Sequence, residues 1–299
     1  MKEIIEKCNK SREGILSLSK SEIERTINII RGELEKNIDI IEEAYKVENT
    51  KPFDKELFLD SIKNEKFKYG KIQDVVKNEY GIINRVYTPY GIIGMIYDGD
   101  IYTTISMISK CIQTRNALVL STYKNVGMIY IIVKEIAKVL EQIEADELIQ
   151  INSNMTDMLN AKEIEKIFYI GKREAYENLK AETPKEMEYR GYKHYEMYID
   201  DELDKELIKK MQEISNMKIY TKYENGIKVK DIDDAISKIN IEGGKYAVGI
   251  MTKDSNKAKK FIDEINASNV FINEAPTLTN MLNVECQDLI YRKNVILFE

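Results

Sequence analysis

Short apolar runs alternate with longer amphipathic segments along the first two thirds of the chain, and this alternation limits the fold more than any other feature. Runs at 117–120, 148–151 and 167–170 have the length of buried strands, and helical segments lie between them. Strands that alternate with helices of about ten to fifteen residues are typical of βαβ units and a parallel sheet. The sequence therefore predicts an α/β fold that begins with a doubly wound domain.

The remaining segments extend this pattern towards both ends of the chain. Isoleucine and leucine recur every three or four residues in segment 20–46, which is the period of an amphipathic helix. Two β-rich runs at 82–87 and 92–97 flank a turn that contains a proline and a glycine. The internal boundary is expected near Pro184, where a helix ends. We also expect helices at 103–114, 126–142, 201–214, 231–240 and 256–264, and strands at 189–199, 246–251, 269–272 and 289–298.

The charge balance argues against two classes of partner. The chain has 299 residues, of which 45 are basic and 51 acidic, so its formal net charge is −6 and its pI is about 5.3. Nucleic-acid binding needs a basic surface, which this composition does not provide. No apolar stretch approaches the roughly 20 residues of a membrane span, and the N-terminal residues are charged. We therefore expect a cytosolic protein that binds neither nucleic acid nor membrane.

The cysteines and the histidine limit metal and catalytic chemistry. Cys8, Cys111 and Cys286 are odd in number and far apart, with no CxxC spacing, so we expect free thiols and no metal site. His194 is the only histidine in the sequence, so no multi-histidine metal site can form and no second histidine can act as a general base.

Three segments match the motifs of one enzyme superfamily. Residues 86–124, VYTPYGIIGMIYDGDIYTTISMISKCIQTRNALVLSTYK, follow without gaps the pattern V-P-L-G-V-I-G-x-I-Y-E, L-C-L-K-S-G-N-A-V-I-L and R-G-G-K. Residues 231–273 are similar to a D-x-D-E-A-I-x-x-I-N helix and a V-x-V-N strand, and 194–207 to an H-x-Y-V-D strand and a D-L-D-K-A helix. On these residues the chain resembles the aldehyde dehydrogenase superfamily, most closely its glutamyl phosphate reductase branch.

This resemblance implies a domain organisation and an assembly. Residues 1–188 would form a Rossmann-like, dinucleotide-binding domain, 189–275 a shortened remnant of the catalytic domain, and 276–299 a C-terminal loop and arm strand. The run at 82–87 would lie in an oligomerisation arm beside the run at 289–298. The composition of that last run favours pairing, since an unpaired edge of this kind tends to aggregate. We therefore expect the two runs to be adjacent and the protein to form a homo-oligomer, or else the last run to close a sheet within one chain.

The residues that the family uses for catalysis are not found at the matching positions. The nucleophilic cysteine of the family lies between the D-L-D-K-A and D-x-D-E-A-I helices, whereas residues 209–230 join these landmarks here without a cysteine. Cys111 falls on a structural cysteine of the family, and Cys286, in a loop beyond the V-x-V-N strand, is a weak candidate for a substitute nucleophile. Tyr102 falls where the family has an asparagine that stabilises the oxyanion. Glu188 could mimic an acidic base, although an ordinary surface role is the simpler interpretation.

Two residues match cofactor-binding positions of the family. Lys124 falls on the lysine that hydrogen-bonds the adenosine ribose or its phosphate, although it could also be an ordinary surface lysine. Gly171 falls on the glycine at which the next helix opens close to the dinucleotide, and it could equally serve only to start that helix. NAD(P) is the cofactor that the resemblance implies, and we expect no other.

These observations lead to one function hypothesis and its alternatives. The chain is interpreted as a catalytically degraded homologue of glutamyl phosphate reductase that keeps the scaffold and binds a nucleotide or a partner. The alternative is an active NAD(P)-dependent oxidoreductase for aldehydes or acyl phosphates with a displaced nucleophile. A purely structural oligomer is a third class. The sequence does not identify the substrate.

Overall fold

The computed structural model describes most of the chain, and the described residues fall into two compact units. Unit 1 comprises Met1–Tyr169, Leu179–Glu188 and Val284–Glu299, and unit 2 comprises Ile170–Asn178 and Tyr189–Asn283. The predicted helix at 201–214 and the histidine His194 lie outside the described residues. The structure describes residues 1–50, 52–78, 81–191, 195–200, 217–224, 226–243, 247–267, 269–274, 276 and 284–297.

The described helices and strands alternate as an α/β fold requires. The helices are α1 Lys2–Leu16, α2 Lys20–Lys36, α3 Ile38–Glu48, α4 Lys55–Asp60, α5 Ile101–Gln113, α6 Val126–Leu140, α7 Met155–Asn160, α8 Arg173–Glu182, α9 Ile232–Glu242 and α10 Ser255–Glu264. The strands are β1 Gly70–Asn78, β2 Gly81–Pro89, β3 Ile92–Tyr97, β4 Ala117–Thr122, β5 Ile149–Ile151, β6 Ile164–Tyr169, β7 Met187–Tyr189, β8 Tyr195–Ile199, β9 Met217–Thr221, β10 Ile227–Lys228, β11 Ala247–Met251, β12 Asn269–Ile272 and β13 Ile290–Leu297. Short 3₁₀ turns lie at Glu141–Ile143 and Cys286–Leu289.

The main sheet of unit 1 has the order β5-β4-β3-β6-β7. Strand β3 pairs in parallel with β4 and β6, and β4 pairs in parallel with β5. Counted from β3 this order is 3-2-1-4-5, which is the doubly wound arrangement with its switch point between β3 and β6. All six residues of β3 and all thirteen of α5 are buried, because helices cover the sheet. The predicted α/β fold with parallel sheets is confirmed.

A glycine in β3 leaves room for side chains that pack on this sheet. A Cβ added to Gly94, in the middle of β3, would lie only 2.8 Å from the sulfur of Met158 on α7 and 3.2 Å from Ile167 Cγ1 on β6. Real Cβ atoms do not approach neighbours so closely, so a larger residue would require the Met158 side chain to shift.

The predicted helix at 20–46 is two helices. Segment α2 begins with a capping box between Ser19 and Glu22 and ends at Asn37, whose side chain donates a hydrogen bond to Glu33 O at 2.9 Å. This bond satisfies a carbonyl at the end of α2, and α3 begins at the next residue. The prediction of one continuous helix was wrong, because the apolar period continues through the break while the asparagine favours a helix end.

A separate antiparallel sheet in unit 1 has the order β1-β2-β13. Strand β13 pairs with β2 from Ile290 opposite Pro89 to Leu297 opposite Ile82. The predicted adjacency of the two runs is therefore confirmed. Side chains 291–296 of β13 are all exposed, on both faces of the strand.

Unit 2 contains a second parallel sheet, with the order β10-β9-β8-β11-β12. Counted from β8, this is again 3-2-1-4-5. The predicted strand at 189–199 was wrong in its extent, because β7 ends at Tyr189 and β8 begins at Tyr195. Helices α9 and α10 pack on the sheet through a buried cluster that includes Tyr198, Tyr220 and Phe261. No helix among the described residues is long and apolar enough to span a membrane.

Candidate functional site

Polar and glycine residues follow the strands of the unit 1 sheet at its carboxyl edge. Strand β3 is followed by Asp98, Gly99 and Asp100, and β4 by Tyr123 and Lys124. Open α/β sheets bind their ligands at this carboxyl edge. The loops after β3 and β4 carry Lys124, the cofactor-binding residue predicted from the sequence, and we treat them as the candidate site.

The loop after β4 has a fixed backbone. The Thr122 hydroxyl accepts a hydrogen bond from the Lys124 N–H at 3.2 Å and donates one to the Lys124 carbonyl at 3.1 Å. Gly99 on the neighbouring loop has φ +82°, and a Cβ there would lie 2.2 Å from Lys124 O. Both its φ and this close approach require glycine. The two loops are thus held against each other by their backbones.

Lys124 itself points into solvent. Its side chain is exposed, and its ammonium lies 5.6 Å from the centre of the Tyr123 ring. Among the described residues, no carboxylate lies within 4.0 Å of Lys124 Nζ. A surface lysine held on a fixed loop at this edge can donate to a hydroxyl or a phosphate of a ligand.

Helix α3 closes one side of this site. Asn49, directly after α3, donates to Asn125 Oδ1 at 3.0 Å, and this orients Asn125 to donate to Gly99 O at 2.9 Å. Glu48, the last residue of α3, accepts from the Met128 N–H in the first turn of α6 at 3.4 Å. We call these contacts the α3–α6 clasp. It connects the end of α3 to both loops of the candidate site.

Apolar side chains are exposed around the same loop. Tyr123 is 75% exposed and Tyr130, on α6, is 62% exposed, with Val126 at 43% one turn before it. Val47, beside the clasp, is 85% exposed. Tyr123 and Val126 therefore leave apolar surface exposed on either side of Lys124 in the chain.

The two carboxylates of the loop after β3 accept hydrogen bonds from the backbone of the same segment. Asp100 caps α5, because its carboxylate accepts from the Thr103 N–H at 2.8 Å. Asp98 in turn accepts from the Asp100 N–H at 3.3 Å. The first βα turn, which binds the pyrophosphate in many dinucleotide-binding proteins, therefore carries two carboxylates instead of a glycine-rich loop.

The other predicted cofactor residue, Gly171, belongs to unit 2. It is buried, two residues beyond the end of β6, and its N–H donates to Gly191 O at 3.0 Å. The exposed Arg173 that begins α8 contacts Glu177 at 3.3 Å and lies 5.8 Å from the centre of the Tyr189 ring. The amide of Gly171 is thus engaged within the chain.

All three cysteines of the chain are buried free thiols. Cys8, Cys111 and Cys286 have relative exposures of 0%, 0% and 1%. Burial raises the pKa of Cys8 to about 12, and it also raises the pKa values of Cys111 and Cys286. A nucleophilic thiol needs the opposite environment, because the thiolate is the reactive form.

Cys286, the weak candidate for a nucleophile, lies beside a carboxylate. Its N–H donates to Glu65 at 3.4 Å, and Glu65 pairs with the buried Lys110 at 2.8 Å. After burial, the charge of Glu65 is the next cause that raises the pKa of the Cys286 thiol. Glu65 therefore opposes formation of the thiolate.

Two further residues considered from the sequence have structural contacts. The Tyr102 hydroxyl accepts from the Asp54 N–H at 2.9 Å, and burial raises the pKa of this phenol to about 12. The buried Lys166 forms an ion pair with the Glu188 carboxylate at 2.6 Å. Both side chains thus stabilise the fold of unit 1.

Sequence reasoning missed a buried carboxylate at the carboxyl edge of the unit 2 sheet. Asp200, directly after β8, is 3% exposed and accepts from Tyr198 at 2.9 Å, from Thr252 at 3.1 Å and from Lys257 at 2.8 Å. Lys222 lies 3.9 Å away. Burial by itself raises the pKa of Asp200, but the hydrogen bonds from its partners outweigh burial and hold the pKa below its usual value.

The sequence did offer one indication of Asp200, because this aspartate directly follows the apolar residues 197–199 at the end of β8. Asp200 lies at the switch point between β8 and β11, and its carboxylate forms an ion pair with Lys257. No group of histidine, cysteine, aspartate and glutamate side chains among the described residues could hold a metal ion.

The fold defines the class to which the structure is similar. A probable aldehyde dehydrogenase from Listeria monocytogenes EGD-e superposes with a TM-score of 0.77, over 99% of this chain and 96% of that chain, at 11% identity. The chain therefore has the aldehyde dehydrogenase-like fold. No protein-family model matches the chain.

Within this class, the sequence is similar to gamma-glutamyl phosphate reductases. The protein from Thermodesulfovibrio yellowstonii is 35% identical over 80 residues, which are 25% of this chain and 19% of that protein. The Clostridium perfringens SM101 protein is 33% identical over 103 residues, which are 34% of this chain and 23% of that protein. The matched part thus spans less than a quarter of these curated relatives.

A solved gamma-glutamyl phosphate reductase extends this similarity at the level of the fold. The enzyme from Thermotoga maritima superposes with a TM-score of 0.72, over 99% of this chain and 98% of that chain, at 16% identity. The resemblance that the sequence motifs indicated, to the aldehyde dehydrogenase superfamily and its glutamyl phosphate reductase branch, is confirmed.

Proposed function

We propose that this chain is a nucleotide-binding scaffold related to gamma-glutamyl phosphate reductase, and that it does not carry out thioester chemistry. One contrast supports the proposal. Lys124 is exposed at the carboxyl edge of a doubly wound sheet, whereas every thiol of the chain is buried. The charge that would bind a nucleotide is accessible, and the groups that would form a covalent intermediate are not.

The proposed ligand is NAD(P), bound through its adenosine half. The Lys124 ammonium would donate to a ribose hydroxyl, and the exposed rings of Tyr123 and Tyr130 offer apolar faces to the base. The proposal also includes a cytosolic location, which the three free thiols support.

Assembly through the β1-β2-β13 sheet is a further part of the proposal. Side chains 291–296 of β13 are exposed on both faces of the strand, and β13 is an edge strand of its sheet. An exposed edge that carries Val295 and Ile296 is a surface for pairing. A second copy of the chain would cover it.

Calorimetric titration with NAD⁺, NADH, NADP⁺ and NADPH tests the nucleotide part of the proposal. We expect at least one of these coenzymes to bind and Lys124→Ala to weaken its binding by about 1.5 to 3 kcal/mol, the scale of a hydrogen bond to a charged group. The exposed Lys134→Ala on α6 is the matched control and should leave the affinity unchanged. Failure of all four coenzymes to bind would refute the nucleotide site.

Enzyme assays test the second part of the proposal. We expect no turnover of simple aldehydes or acyl phosphates with any of the four coenzymes, because the thiols are buried and protonated. Robust turnover that disappears in Cys286→Ser would contradict this and would establish an oxidoreductase with a displaced nucleophile.

A further inference from the structure

We draw no further inference here: the strongest candidate, the side-chain cluster of Lys222, Lys257 and the buried Asp200 at the carboxyl edge of the unit 2 sheet, is an ion-pair network satisfied within the chain, and nothing among the described residues indicates a ligand for it.

Discussion

Replacement of Asp200 by asparagine should destabilise the carboxyl edge of the unit 2 sheet at neutral pH. The carboxylate is 3% exposed and receives two hydrogen bonds from Lys257, at 3.0 and 2.8 Å, and one each from Tyr198 and Thr252. The asparagine oxygen can still accept from one hydroxyl. Its NH₂ group, however, cannot accept from the lysine.

The magnitude follows from these contacts. A buried hydrogen bond to a charged group contributes about 1.5 to 3 kcal/mol. The Lys257 side chain is 38% exposed, so its ammonium can turn to water and recover part of the loss. We therefore expect Asp200→Asn to lower the local stability of β8 and β11 by about 2 kcal/mol. Amide exchange in these strands should become about 30-fold faster.

Hydrogen exchange read by mass spectrometry on peptides that cover β8 and β11 measures this change. Asp263→Asn, an exposed position on α10, is the matched control and should change the rates by less than about twofold. If Asp200→Asn increases the amide exchange rates of β8 and β11 by less than about threefold, the ion pair does not stabilise this edge.

The pH dependence of the same difference tests its electrostatic origin. Because the pKa of Asp200 is lower in the folded protein than the ordinary value near 3.9, its contribution is present above that ordinary value and is lost as pH falls through the folded pKa. The difference in local stability between the unmodified protein and Asp200→Asn should be constant above about pH 5 and should shrink below about pH 4. An equal difference at pH 7 and pH 3.5 would contradict a charge effect.

Three further predictions follow from unit 1. The three cysteines should react with a disulfide reagent at pH 8 only slowly in the native protein and rapidly in urea, and fast native labelling would contradict their burial and raised pKa values. Light scattering at micromolar concentration should show a dimer or larger species that Val295→Lys disrupts, and a monomeric unmodified protein would refute assembly through β13. Asn116→Ala should cost about 2 to 4 kcal/mol in urea unfolding, because it leaves Gly91 N–H and Leu289 O without the partners that lie 2.8 Å away, and a smaller loss would show that water replaces them.

The parallel sheets could be predicted from the sequence because their strands are continuous buried runs. Residues 117–120 lie within β4, and 92–97 coincide with β3, since strands covered on both faces consist of apolar residues throughout. The pairing of 82–87 with 289–298 was also predictable, although from the family resemblance and not from periodicity. The N-terminal helix α1 was missed. Its apolar residues are diluted by charges, so the pattern over 2–16 is weak.

The candidate site was only partly predictable, because its second component comes from a distant segment. The family match predicted Lys124 as a candidate directly, since the match runs through that residue without gaps. Nothing local indicates that Glu48, at the end of another helix, reaches the helix that follows this lysine. The same limitation applies to Asp200 and Lys257, which only the folded chain brings together. Charged residues that pair from different helices and strands are not separated by any characteristic distance in the sequence, so a sequence pattern does not predict their contact.

The two parallel sheets have the same strand order, but the charged side chains at their carboxyl edges have different partners. In unit 2 the carboxylate at the switch point is buried and neutralised by Lys257, so this edge is satisfied by its own side chains. In unit 1 the lysine at the end of β4 has no carboxylate within ion-pair distance among the described residues, and Glu48 interacts with the backbone of α6 instead. An ion pair between Lys124 and Glu48 would have cancelled both charges. Because no such ion pair forms, the Lys124 side chain remains exposed at the carboxyl edge of the unit 1 sheet.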